Sequence, residues 1–141
     1  MSTGHSPFPP RFNPIEFLNF AHQSASTTLS EATLRICVGR VYYALFLIAR
    51  DRLYPSATPP RSIRRKSLRG RSEEVGIHKA VIDEVRSRHR TTGDQLSKLQ
   101  KLRRAADYWL TPSPDAYPNW QKNWQDADII AHQILLRIQQ I

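Results

Sequence analysis

Residues 41–49, VYYALFLIA, form an unbroken run of apolar and aromatic positions, bounded by Arg40, Arg50 and Arg52. A helix apolar on every side belongs at the centre of a bundle, with neighbours all round it. Nine residues fall short of the about 20 that span a bilayer, so the run predicts a core helix rather than a membrane span. The prolines mark where helices can run. They fall only within 7–14, 55–60 and 112–118, and proline breaks a helix interior. No sustained period-two alternation occurs, so no strand is expected. The predicted class is all-α, a bundle of four to five helices.

The first helix is expected at about 14–28. Asn13 is its cap, Pro14 its first residue, and Glu16 is placed to reach back; Ile15, Leu18, His22 and Ala25 share a stripe. The central helix is expected to start at the capping box Thr28-Leu29-Ser30-Glu31 and to run to about residue 53. A third starts at Ser72-Glu73-Glu74, with acids where the helix dipole favours them, and ends near His89; Ile77, Val81 and Val85 form its stripe, with His78 one position off it. Thr91-Thr92-Gly93-Asp94 reads as the next break. The fourth helix, about 93–110, gathers Leu96, Leu99, Leu102, Ala106, Trp109 and Leu110 on one face. At 100° per residue Arg103 falls at the edge of that face and Asp107 one turn on, while Arg104 and Tyr108 point away. Asn119 caps a last helix, 120–140, whose Trp120, Trp124, Ala127, Ala131, Ile134, Ile138 and Ile141 make a heptad seam for a partner inside the chain or on a second copy. The organisation is thus a flexible tail, 1–12, and one helical domain, 13–141.

Charge then narrows the partner. Lys and Arg total 21 against 12 Asp and Glu, a net charge of +9 in 141 residues. Such a balance favours a polyanion, and the predominance of arginine favours phosphate, which guanidinium grips with two donors at once. The cations concentrate in the stretch 55–72, where Arg61, Arg64, Arg65, Lys66, Arg69 and Arg71 have no acid among them. Two readings of this stretch stand: an arm for RNA phosphate, or a mobile solvated loop.

Other chemistries find little support. The single cysteine, Cys37, lies in the core helix, so no intrachain disulfide is possible and a reducing compartment fits. The N-terminal residues hold no apolar run of signal-peptide length, and a cytoplasmic location without membrane contact is expected. His5, His22, His78, His89 and His132 are scattered, with no HExxH or paired cysteine motif, so no metal or cofactor is expected. The glycines stand alone and make no phosphate-cradling loop.

Three blocks carry a resemblance: Arg40-Val41-Tyr42-Tyr43-Ala44-Leu45-Phe46, His78-Lys79-Ala80-Val81, and Leu102-Arg103-Arg104-Ala105-Ala106-Asp107-Tyr108. In order and spacing the chain resembles the HEPN domain family, most of all its small stand-alone prokaryotic members. The likeness implies a dimeric helical bundle with its cleft between subunits. It also implies RNA or nucleotide as ligand, and a toxin or defence setting beside an antitoxin or nucleotidyltransferase. Many members are metal-independent ribonucleases. In these an arginine steadies charge on the phosphate, and a histidine four to six positions later moves the 2′-hydroxyl proton. Here Asp107 stands where that histidine would follow Arg103.

The candidate catalytic residues are therefore Arg103, Asp107 and His78, and Arg71 and His78 form an Arg-x6-His string of their own. The candidate nucleic-acid contacts are Arg40, Arg104 and the six cations of the loop. Tyr108 is the candidate for modification by a partner nucleotidyltransferase. Three functions remain open: an RNA-directed protein, as an endoribonuclease; a non-catalytic module binding RNA, nucleotide or protein; or a structural adaptor pairing through the heptad seam. In the second, Arg103 and Asp107 form only an i,i+4 ion pair, typically about 0.2–0.5 kcal/mol.

Overall fold

The computed structural model describes residues 12–27, 30–56, 58–111 and 114–141. The expected tail, apart from Phe12, lies outside the described residues, as do His5 and the Thr28 and Leu29 of the expected capping box. Five helices and one hairpin make up the fold: α1 (Ile15–Thr27), α2 (Glu31–Leu53), β1 (Ser62–Lys66), β2 (Ser72–Gly76), α3 (Ile77–Arg88), α4 (Arg90–Tyr108) and α5 (Trp120–Ile138).

The apolar run lies in α2, and α1, α3, α4 and α5 all pack against that helix. Val38, Val41, Tyr42, Ala44, Leu45 and Ala49 are wholly buried. Ser30 starts α2 by accepting the Thr33 amide at 3.2 Å, a cap two residues past the Thr28 of the expected box. With 23 residues, α2 is long and apolar enough to cross a membrane, so the nine-residue argument does not hold for the helix as built. Half of its most apolar window is buried inside the molecule, and enclosure by the other helices accounts for its composition.

The last seam finds its partner within the chain. Trp120, Trp124, Ala127, Ala131, Ile134 and Ile138 are buried, and α5 packs along α2 and α4. Asn119 caps it through the amides of Gln121 and Lys122.

Both ends of α4 differ from the expectation. The break between α3 and α4 is His89, whose Nδ1 accepts the Thr92 amide at 3.2 Å; Thr91, Thr92 and Gly93 are already helical. Gly93 serves close packing instead of a turn, because a Cβ there would lie 2.4 Å from the Arg86 Cα. At its far end α4 stops at Tyr108, and Trp109 and Leu110 are exposed rather than on the core face. Arg35 Nη1 donates to the carbonyls of Ala105, Ala106 and Trp109 at 2.7–3.2 Å, closing the last turn of the helix.

The largest correction concerns the basic stretch. It holds an antiparallel hairpin where the sequence predicts no strand, so the chain is a mostly helical bundle of five helices with one small two-stranded sheet. Arg64 stands opposite Glu74 and Arg65 opposite Glu73, and opposite charges across a ladder stabilise it. Ile63 and Val75 face each other next to the Arg64–Glu74 pair; Val75 is buried and Ile63 packs on the core. Gly70 turns the hairpin at φ 77°, a conformation glycine adopts without strain. Glu73 and Glu74 therefore belong to β2, and α3 begins only at Ile77.

Gly93→Ala should test the α3–α4 crossing. The added methyl has backbone against it, so the variant should lose at least about 1–3 kcal/mol, the usual cost of overpacking, in its denaturant midpoint. Leu136→Ala, at an exposed position, should stay within about 0.5 kcal/mol of the parent.

Candidate functional site

Adjacent residues on a helix point about 100° apart, and α2 uses this to deliver two tyrosine hydroxyls to different partners. Tyr42 is fully buried, and its hydroxyl lies 2.7 Å from His78 Nδ1 on α3. Tyr43 is half-buried, and its hydroxyl accepts from Arg103 Nη2 on α4 at 2.6 Å. The Arg103 guanidinium also lies 4.9 Å from the centre of the Tyr43 ring. The two tyrosine rings meet edge to face at 5.7 Å. A guanidinium and an imidazole from separate helices are thus joined through a tyrosine pair on a third.

His78 lies flat on Phe46, ring centres 3.9 Å apart and 11° between planes. Burial pushes its pKa below the ordinary histidine value, and the charges of Arg103, Arg104 and Arg50 push it the same way. The ring is neutral at neutral pH. Burial raises the Tyr42 phenol, only partly opposed by Arg103, so this hydroxyl keeps its proton. With Nδ1 engaged by Tyr42, Nε2 is the nitrogen left to exchange a proton with a ligand.

Asp107 completes the cluster from one turn further along α4. Its Oδ2 lies 3.0 Å from Arg103 Nε, yet the two are out of line for a hydrogen bond, and Nε has no aligned acceptor. The Arg103 side chain is 18% exposed and that of Asp107 40%. A Cβ on Gly39 would be 3.8 Å from Asp107 Oδ1, so Gly39 of α2 faces this carboxylate without crowding it.

The fold brings Arg103, Asp107 and His78 into one neighbourhood but sends Arg40 elsewhere. The Arg40 guanidinium sits 5.3 Å from the centre of the Phe17 ring on α1. Arg104 and Tyr108 are exposed, as their phase on α4 predicts. Tyr42, Tyr43 and Phe46 are the positioning residues; the sequence offered them only as core. Their polar role was legible in one respect, since a buried tyrosine hydroxyl needs a partner.

The six cations of the hairpin divide into held and free. Arg65 is held, with Nη2 2.8 Å from Asp83 Oδ2 and Nε 3.6 Å from Glu73. Lys79 approaches the same Asp83 oxygen at 2.7 Å. Burial alone would raise the Asp83 carboxyl, but its hydrogen bonds to Lys79 and Arg65 and their charges bring it below the usual range. Arg64 donates weakly to Ser72 Oγ at 3.4 Å. Arg61, Lys66, Arg69 and Arg71 are exposed and pair with no acid among the described residues. The Ile77 amide donates to the Arg61 carbonyl at 2.9 Å, so the base of this arm lies one residue from His78.

Two of the histidines that are scattered in the sequence come together away from this cluster. His22 of α1 and His132 of α5 have ring centres 5.3 Å apart, with Asp128 between them. His89, in contrast, is occupied as the α4 cap.

Fold and cluster together define a helical bundle carrying an arginine–tyrosine–histidine surface beside a cationic hairpin. No family model, curated protein or solved structure matches the chain.

The depressed His78 pKa has a measurable consequence. Between the folded value and about 6.5 the unfolded chain binds a proton that the folded chain refuses. His78 thus contributes a stability that is complete above about 6.5 and is lost as pH falls through that window. Denaturant midpoints at pH 7.5 and pH 5 should therefore differ less in His78→Gln than in the parent chain. Asp83 acts in a lower window: its contribution, present above about 3.9, is lost as pH falls through its folded value.

Proposed function

We propose that this chain is an RNA-directed protein of the HEPN type, in which Arg103 and His78 meet the phosphate and the ribose and the hairpin holds the strand. The observation that carries the reading is the Tyr42–Tyr43 pair. It fixes a partly buried guanidinium and a neutral imidazole on one side of the bundle, the pair of groups that in-line attack by a 2′-hydroxyl calls for. Arg61, Lys66, Arg69 and Arg71 supply phosphate contacts of the sequence-independent kind. Asp107 tempers the Arg103 charge and holds the guanidinium in place, in the position where catalytic relatives carry histidine; proton transfer in this chain falls to His78.

The family likeness further implies a homodimer with the cleft between copies. The exposed Tyr108, Trp109 and Leu110, next to Asp107, are the apolar surface that a second copy would cover. Tyr108 is 72% exposed, which suits modification by a partner nucleotidyltransferase before that surface is closed.

One observation favours a second reading, a binding module without catalysis. Arg103 already has a carboxylate 3.0 Å away, and an internally paired arginine is a weaker anchor for developing phosphate charge.

Purified protein incubated with single-stranded RNA in excess EDTA separates the two. Cleavage that Arg103→Ala and His78→Gln each reduce by about 100-fold or more, and that Arg104→Ala leaves nearly intact, supports the ribonuclease. RNA binding without cleavage, abolished by joint neutralisation of Arg61, Lys66, Arg69 and Arg71, supports the module. A protein that neither cuts nor binds RNA at low salt refutes the ribonuclease and the RNA-binding module alike.

A further inference from the structure

His22, Asp128 and His132 offer three ligand atoms that all lie within 4.8 Å of one another. Asp128 and His132 are one turn apart on α5 and share a face, and His22 reaches them from α1. From these residues we infer a binding site for a divalent transition metal of the zinc class, bridging the first and last helices. The inference does not rest on the proposed RNA chemistry, and the site is separate from Arg103 and His78.

Asp128 Oδ1 is the point on which both imidazoles converge. Asp128 Oδ1 lies 2.7 Å from His22 Nε2 and 3.3 Å from His132 Nδ1. It is nevertheless a buried atom without an aligned hydrogen bond. A buried carboxylate oxygen of this kind is costly unless something satisfies it, and a cation would do so. Ligand atoms around tetrahedral zinc, with bonds of about 2.0–2.2 Å, sit about 3.3 Å apart. The ligand atoms of the trio lie within 4.8 Å of one another, and the partly exposed His22 and His132 rings leave room to reach the tetrahedral spacing by rotation.

The surroundings fit as well. His132 Nδ1 lies 2.8 Å from the Asp128 backbone carbonyl. Donation from Nδ1–H to that carbonyl puts the lone pair on Nε2, the arrangement by which proteins orient a ligating imidazole. Trp124 packs edge-on against the His22 ring at 5.7 Å and shields one side. The trio borders a cavity of about 140 Å³ between α1 and α5, lined also by Ile15, Leu18 and Leu135. That space admits water to a fourth position. Two imidazoles and one carboxylate suit zinc and its neighbours and are a poor set for calcium or magnesium, which take oxygen ligands.

The consequence is mechanical. α1 packs along α2 and meets α5 here through side chains across the cavity, so a bound metal would staple α1 to the end of the bundle. The same geometry read without metal is a histidine–aspartate ion pair, and the experiment must tell them apart.

Tag-free full-length protein, freed of metal with EDTA and desalted, is titrated with ZnCl2 by calorimetry. The expected result is one Zn2+ per chain. His22→Ala and His132→Ala should each weaken binding about tenfold or more, while Asp126→Asn, which alters a surface pair with Lys122, leaves it unchanged. Co2+ added to the unaltered chain should show the intense visible absorption of tetrahedral or five-coordinate cobalt, a readout independent of how any variant folds. Absence of stoichiometric Zn2+ binding, binding unaffected by both histidine variants, or a Co2+ spectrum like that of the hydrated ion would each overturn the inference and leave an ion pair.

Discussion

A helix with no polar face has to be enclosed, and that constraint organises this molecule. α2 carries leucine, valine, phenylalanine and tyrosine on every side over its middle turns, so no orientation of it could face water without a large loss of hydrophobic stabilisation. α1, α4 and α5 are amphipathic and each has one stripe to bury. Wrapping them round α2 satisfies all four at once. The remaining elements are placed by this arrangement: α3 follows α4 in close contact through Gly93, and the hairpin follows α3.

The polar chemistry grows out of the same enclosed helix. A buried phenol is apolar over most of its surface and polar at one atom, and that atom must be paired. Tyr42 and Tyr43 therefore act as connectors. Each contributes its ring to the core and shares a hydrogen bond through its hydroxyl with a group nearer the surface: Tyr42 with His78, and Tyr43, as acceptor, with Arg103. The low pKa of His78 follows from its burial and the nearby arginine charges, and the posture of Arg103 from where the core places the Tyr43 hydroxyl, so the cluster is as rigid as the packing beneath it.

The hairpin shows how charge can order a segment as well as extend it. The cations of β1 would repel one another as an isolated arm. Facing Glu73 and Glu74, and with Arg65 drawn on to Asp83, the strand lies down on α3. The Ile63 and Val75 pair gives the hairpin an apolar foot. What remains outward is a smaller set of cations at defined positions.

The sequence by itself determined the helices and their order. Proline positions, the Asn119 cap and the apolar stripes are local signals, and the intended partners of Asn119 and Ser30 lie within one turn of them. It also placed Arg103 at the edge of a buried face, because helical phase alone sets that angle. Only the tertiary structure decided the rest. Residues 62–76 contain no strand alternation strong enough to read, since their pairing is stabilised by charges ten or so residues apart and by Asp83 beyond them. Gly93 looked like a break because the helix that crowds it is invisible in its own segment. The Arg40 contact with Phe17, the Tyr42–His78 bond and the meeting of His22 with Asp128 and His132 join residues 23 to 110 positions apart. Contacts of that range follow from how helices are laid against one another, and the periodicity of a single helix carries no record of its neighbours.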